Sequence, residues 1–128
     1  NYQTRINLAY KYSRICNLLA KQGINVIIAT ISLFDEIHIW NRENIKNYLE
    51  IYLKVNLEEL KKRDPKKIYS NFFQGKTSNV AGLDIDIDEP KNPDLVLDFS
   101  QEKKVESMIK IILEKYFDKF GMANEYKI

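Results

Sequence analysis

The 128 residues contain one cysteine, three prolines and four glycines, and they carry almost no net charge, +2 at neutral pH. A single thiol, Cys16, cannot form an intrachain disulfide, and no paired Cys and His spacing offers a structural zinc site. Near-neutral charge removes the global field that would by itself draw the chain to nucleic acid or to an anionic membrane, so any basic site must be local. The longest apolar run, around Val26-Ile27-Ile28-Ala29, falls far short of the roughly 18 residues that a membrane span needs. No charged-then-apolar leader opens the chain either. These absences favour a cytoplasmic, reducing setting with no nucleic-acid or membrane partner. The chain opens at Asn1 without a methionine, directly in charged helix-like sequence, and therefore reads as lacking an upstream segment.

What is present suits one globular domain. At 45% hydrophobic and 12% aromatic residues the chain can bury a core. From Thr4 to Gln22, Leu8, Tyr12, Ile15 and Leu19 recur at four-three-four spacing beside Ala9, Cys16 and Ala20, which predicts a helix with that stripe buried and Gly23 as its stop. Ile24 to Ile31 is a continuous, mostly β-branched run that predicts a strand buried on both faces, and Tyr48 to Val55 reads the same way. Asp94 to Phe99 is a third candidate strand, and helical sequence separates the three, the pattern of a parallel α/β sheet with flanking helices. Residues from about Gln101 to Phe120 place Val105, Met108, Ile109, Ile112, Leu113, Tyr116 and Phe120 on one stripe, ended by Gly121. That helix is expected to cover the sheet, with residues 122–128 a frayed tail.

Residues 63–93, rich in Lys, Asn, Asp and Gly and holding all three prolines, read as a long ligand-side excursion or lid. Ligands of open parallel sheets bind beyond the carboxyl ends of the strands, where helix N-termini point their free amides. Ser32 follows the first predicted strand, Arg5 lies near the start of the first helix, and Arg63, Lys66 and Lys76 bracket the excursion, so a local basic cluster is expected there. The alternation Asp84-Ile85-Asp86-Ile87-Asp88-Glu89 imitates the start of a calcium loop, but Glu89 stands where glycine is required and Leu95 where a carboxylate is. An edge strand or solvated loop is the better reading. No nucleophile with a supporting acid accompanies His38, and Trp40 suits packing better than base stacking.

Several segments stand in a set order and spacing: Leu18-Leu19-Ala20-Lys21-Gln22-Gly23-Ile24 with Ala29-Thr30-Ile31-Ser32, then Tyr52-Leu53-Lys54-Val55, Arg63-Asp64-Pro65-Lys66-Lys67-Ile68-Tyr69, Gly82-Leu83-Asp84, Glu89-Pro90 and Asn92-Pro93. In that order they resemble the adenylylsulfate (APS) kinase family of P-loop nucleotide kinases. The resemblance implies a three-layer P-loop kinase fold and transfer of the γ-phosphoryl of ATP, with Mg²⁺, to the 3′-hydroxyl of a nucleotide such as adenylylsulfate. By the same resemblance Arg63 lies near the ATP base, while Arg5, Ile31, Ser32, Lys66 and Val80 line the acceptor side. Ser32 matches the family serine sometimes given a phosphoserine role. Family members commonly dimerise, so Tyr116, Phe117 and Phe120 offer a homodimer surface as the alternative to core packing.

The departures from the family pattern are specific. No G-x-x-x-x-G-K-[ST] segment occurs, nor the acidic residue after the family's second strand. The expectation is that residues 1–121 are a partial kinase domain lacking its N-terminal third, inactive alone. The adenine-stacking Phe of the family is Val80, its nearby Lys is Ser78, the Asn after the first-helix Arg is Leu8, and the Pro after Ile-Ser is Leu33. Losing a stacked aromatic forfeits about 1–3 kcal/mol per base. Together with Trp40-Asn41-Arg42-Glu43-Asn44, this resembles divergent bacterial members of capsule gene clusters that act on cytidine diphosphoramidate. A noncatalytic nucleotide- or protein-binding module on a degenerate kinase fold is the remaining alternative.

Overall fold

The computed structural model describes residues 2–31, 33–100 and 104–121. In chain order the elements are α1 (Tyr2–Lys21), α2 (Asp35–Asn44), β1 (Ile51–Lys54), α3 (Leu57–Arg63), α4 (Ile68–Phe73), β2 (Leu95–Asp98) and α5 (Val105–Phe120). They divide into two compact units, residues 1–48 with 70–91, and residues 49–69 with 92–128.

In the first unit α1 packs on α2. Ile6, Ala9, Phe34 and Ile37 form the core, with Ile37 only 1% exposed, and Tyr10 packs against its edge. Tyr2 meets Phe34 edge-on at 5.2 Å between ring centroids, and Tyr10 meets Trp40 at 6.2 Å. Trp40 thus packs, as its sequence context predicts. Helix α1 ends in a double wrap: Gly23, at φ 77°, donates from its N–H to Ala20 O at 3.0 Å, and Ile24 donates to Leu19 O at 3.2 Å. Both contacts satisfy carbonyls that the last helical turn leaves open, and the left-handed conformation they require suits glycine.

Two expectations fail in this unit. The buried face of α1 is Ile6, Ala9 and Ser13, whereas Leu8, Tyr12 and Ile15 of the predicted stripe are exposed. Helix α2 covers the side of α1 that carries Ile6 and Ala9, and a hydrophobic stripe is buried only where another element meets it. Residues 24–31 form no strand, and every one of them is exposed, Ile27 at 99%. A strand exists through its ladder partner, and the sheet among the described residues is made of two other segments.

The second unit is built on β1 and β2, paired in parallel with Ile51 opposite Leu95 and Lys54 opposite Asp98. The predicted parallel α/β arrangement is present, with two strands rather than three among the described residues. Leu97 is buried and Val96, on the opposite face of β2, is exposed; Leu53, beside Leu97 in the register and on its face, is exposed as well, so the cover lies on one face and over β2 rather than β1. Helix α5 packs on β2 through a stripe in which Met108 is buried and Ile112, Leu113, Tyr116 and Phe120 are half-buried, while Val105 and Ile109 are exposed. Tyr116 also stacks edge-on with Phe117 and Phe120 at 5.6 and 5.1 Å. Gly121, at φ 67°, ends α5 as predicted, and the predicted tail at 122–128 lies outside the described residues.

Asp94 joins this unit's elements at one end. Its carboxylate accepts the Glu50 N–H at 2.9 Å and pairs with the Lys119 ammonium at 2.5 Å, and its own N–H donates to Glu50 O. Residues 63–93, expected to be a long loop, hold the end of α3, helix α4 and a tight turn over residues 79–85.

Candidate functional site

In the second unit the carboxyl ends of β1 and β2 carry the first group of candidate residues. Past β1, Asn56 caps α3, its Oδ1 accepting the Glu59 N–H at 2.8 Å, while its own N–H donates to Ser100 Oγ at 3.2 Å. Phe99 N–H donates to Lys54 O at 2.7 Å, which continues the parallel pairing one residue beyond the strands. Helix α3 has Glu58 and Glu59 in its first turn and Lys61, Lys62 and Arg63 in its last, the arrangement that complements the helix dipole.

Arg63 reaches back from that last turn. Its Nε donates to Glu59 Oε1 at 2.9 Å and its Nη2 to Phe99 O at 2.9 Å. These contacts engage two of the five guanidinium donors and fix the plane of the group beside the end of β2. A cation held there suits an anionic or ring-bearing ligand at the strand ends. Lys66 is exposed on the turn after α3, which is closed by Lys67 N–H to Asp64 O at 2.9 Å and Tyr69 N–H to Asp64 Oδ1 at 3.1 Å. Burial, and then the Asp64 charge, hold the Tyr69 phenol above its ordinary pKa.

The second group lies in the first unit. Arg5, half-buried on α1, donates from Nη2 to Asn79 O at 2.6 Å. Asn79 sits at φ 63°, a left-handed conformation that Asn tolerates better than most side chains. The Asp84 carboxylate accepts the N–H of Asn79 at 2.7 Å and of Val80 at 2.6 Å, and Val80 O accepts the N–H groups of Leu83, Asp84 and Ile85 at 3.1–3.2 Å. The Asn79 N–H is the largest cause holding the Asp84 carboxyl below its ordinary pKa. The Val80 N–H and the Arg5 charge act in the same direction, against a contribution from burial. Arg5 and Val80, both expected on the acceptor side, are therefore brought into one hydrogen-bonded cluster.

The other expected acceptor residues are not part of that cluster. Ile31 is 73% exposed at the end of the run from Ile24, and Ser32 lies outside the described residues. The acidic alternation has separate structural uses: Asp84 closes the turn, and Asp88 accepts the N–H of Asp35 at the start of α2 at 3.0 Å. Lys91 pairs with Asp35, a contact that raises the pKa of the ammonium. Among the described residues no group of three His, Cys, Asp or Glu could hold a metal ion.

Sequence reasoning missed Glu59, Asn79 and Asp84. Glu59 is visible in hindsight as the i,i+4 partner of Arg63. The signal for the other two is Asn-Val-Ala-Gly-Leu-Asp, in which Asn79 and Gly82 supply the two positive-φ positions and Asp84 the acceptor that closes the turn.

The model of the family described as adenylylsulphate kinase matches residues 2–98, a span that contains Arg5, Ile31, Ser32, Arg63, Lys66 and Val80. The cytidine diphosphoramidate kinase of Campylobacter jejuni is 39% identical over 88% of this chain and 66% of its own length. A probable adenylyl-sulfate kinase of Archaeoglobus fulgidus is 35% identical over 62% of this chain and 52% of its own. The structure of the Mycobacterium tuberculosis APS kinase in complex with AMPPNP and APS superposes with a TM-score of 0.75 at 26% identity, covering 88% of this chain and 65% of that one. The chain thus spans between about half and two thirds of the length of these relatives.

Proposed function

The chain belongs to the adenylylsulphate kinase family, and we propose that the protein is a cytoplasmic ATP-dependent kinase that transfers the γ-phosphoryl group to the 3′-hydroxyl of a nucleotide acceptor such as adenylylsulfate. The observation that carries this reading is the family match over residues 2–98, which takes in every basic residue of both groups. ATP when bound supplies the phosphoryl group. Arg63, its guanidinium fixed at the end of β2, is the residue for the ATP base, and Lys66 contributes charge to a transfer that depends mainly on positioning and electrostatics. Arg5 faces the acceptor, with Val80 as a wall for its base. The described carboxylates form no cage for Mg²⁺, so no step is assigned to side-chain ligands of that ion. No described helix is long and apolar enough to cross a membrane.

A second acceptor is favoured by two specific observations. Val80 stands where the resemblance implies a stacking aromatic, and a cytidine diphosphoramidate kinase is 39% identical to this chain. A smaller pyrimidine gains less from stacking than adenine does, so an aliphatic wall forfeits less with cytidine diphosphoramidate.

The test is a coupled ADP-release assay on the full-length gene product with ATP and Mg²⁺, comparing adenylylsulfate, cytidine diphosphoramidate and no acceptor. Turnover with adenylylsulfate supports sulfate activation, and turnover with the cytidine compound alone supports the second acceptor. ADP release that no acceptor stimulates refutes the kinase reading in favour of a binding module.

A further inference from the structure

The reading above leaves Asp84 without a role in the reaction, although its carboxylate ties the second group together. One carboxylate receives two consecutive backbone N–H groups, at 2.7 and 2.6 Å, from Asn79 and Val80. The carbonyl of the first of these residues is the acceptor for Arg5 at 2.6 Å. The second is the proposed wall for the acceptor base. We infer that Asp84 is a positioning residue for the acceptor: through one carboxylate it sets the left-handed turn at Asn79 that aims the Arg5 guanidinium, and it fixes the backbone of Val80. The inference rests on the kinase reading, and it extends that reading by tying base recognition and anion recognition to a single side chain.

The geometry separates Asp84 from its neighbours in the acidic alternation. Asp86 is exposed, and Asp88 holds the first N–H of α2 instead. Charge also matters beyond hydrogen-bond count, because a carboxylate accepting backbone N–H groups makes stronger bonds than a neutral amide oxygen. Asp84→Asn keeps an oxygen for one N–H and loses the charge, whereas Asp84→Ala loses both contacts. The Asn79 carbonyl is then free to turn away from Arg5.

The experiment combines steady-state kinetics with amide hydrogen exchange on the full-length protein, using whichever acceptor the wild type turns over. The expected result is an acceptor KM raised about tenfold or more in Asp84→Ala and by an intermediate factor in Asp84→Asn, with kcat and the KM for ATP within about twofold of wild type. Exchange at the Asn79 and Val80 amides should quicken in the same order, and Asp86→Asn should match wild type in both readouts. Faster exchange with an unchanged acceptor KM overturns the positioning role. Unchanged exchange overturns the anchoring itself, whatever the kinetics. A loss of kcat and of ATP affinity in equal measure signals general damage to the fold and also counts against the proposal. Failure of the kinase reading is distinguishable, because it shows in the wild type as silence with every acceptor.

Discussion

Replacing Asp94 by alanine tests the account of the second unit most directly. Asp94 Oδ2 accepts the N–H of Glu50, a buried residue, so truncation leaves that donor without this acceptor in a place water reaches poorly. A hydrogen bond to a charged group is worth about 1.5–3 kcal/mol. The ion pair with Lys119, whose side chain is 28% exposed against 14% for Asp94, adds about 0.5–1 kcal/mol after solvent screening. The expected loss for Asp94→Ala is therefore about 2–4 kcal/mol. Asp94→Asn keeps an oxygen for the Glu50 N–H and gives up the charge, with an expected loss of about 1 kcal/mol. Urea unfolding followed by far-ultraviolet circular dichroism measures both. Trp40 fluorescence is the wrong probe, because that residue belongs to the first unit. Exchange of the β1 amides gives a local check, since each 1.4 kcal/mol of lost local stability quickens exchange about tenfold. A loss below about 0.5 kcal/mol for alanine, or equal losses for the two variants, refutes the assignment to the Glu50 contact.

If the proposed kinase activity holds, Arg63→Ala in the full-length protein should lower kcat/KM about tenfold or more and Lys66→Ala should lower it to a lesser degree, while Asp86→Ala stays near wild type; equal activity in all three displaces the site. Gly23→Ala should lower stability by about 1 kcal/mol, read as a reduced Tm, purely from its φ of 77°, because no atom lies within 4 Å of the added methyl. Ile37→Ala removes the most deeply buried side chain of the first unit and should cost about 2–5 kcal/mol in chemical unfolding. The Asp84 carboxyl is held below its ordinary value of 3.8, chiefly by the Asn79 N–H. Its contribution is thus present in full above that value and is lost as pH falls through the lowered one. Amide exchange at Asn79 and Val80 followed downward from pH 5 should show the turn loosening only below about pH 4, after allowance for intrinsic rates, and loosening at higher pH refutes the anchoring.

The chain's punctuation was legible. Gly23 and Gly121 end their helices because left-handed residues close helix C-termini whatever packs nearby. The two observed strands and their parallel sense followed from apolar runs separated by helical sequence, although which strands would pair did not. What failed depended on partners rather than on local chemistry. The Leu8-Tyr12-Ile15 stripe and the Ile24–Ile31 run have the composition of buried elements, but composition states a capacity for burial and the neighbours decide its use. Within the candidate site, the sequence offered Arg5, Arg63 and Lys66 as candidates, their roles implied by the family resemblance rather than by local chemistry. The role of Asp84 could not be read, since an Asp in an acidic alternation looks the same whether its carboxylate meets solvent or two backbone amides.

The exposed run at residues 24–31 bears on how this chain behaves at high concentration. It contains no charge, no proline and no glycine, six of its eight residues are Ile, Val or Thr, and all eight are exposed. That composition is the signature of segments that stack copy upon copy as cross-β, with strands about 4.8 Å apart and dry side-chain interfaces between sheets. The flanking charge that natural sequences set against such stacking is sparse here: Lys21 lies upstream beyond Gln22 and Gly23, and the next charged residue downstream is Asp35. Such an exposed segment is an aggregation hazard that does not depend on the stability of either folded unit. Ile27, 99% exposed, is the position where a lysine gatekeeper would interrupt that stacking with the least disturbance to the fold.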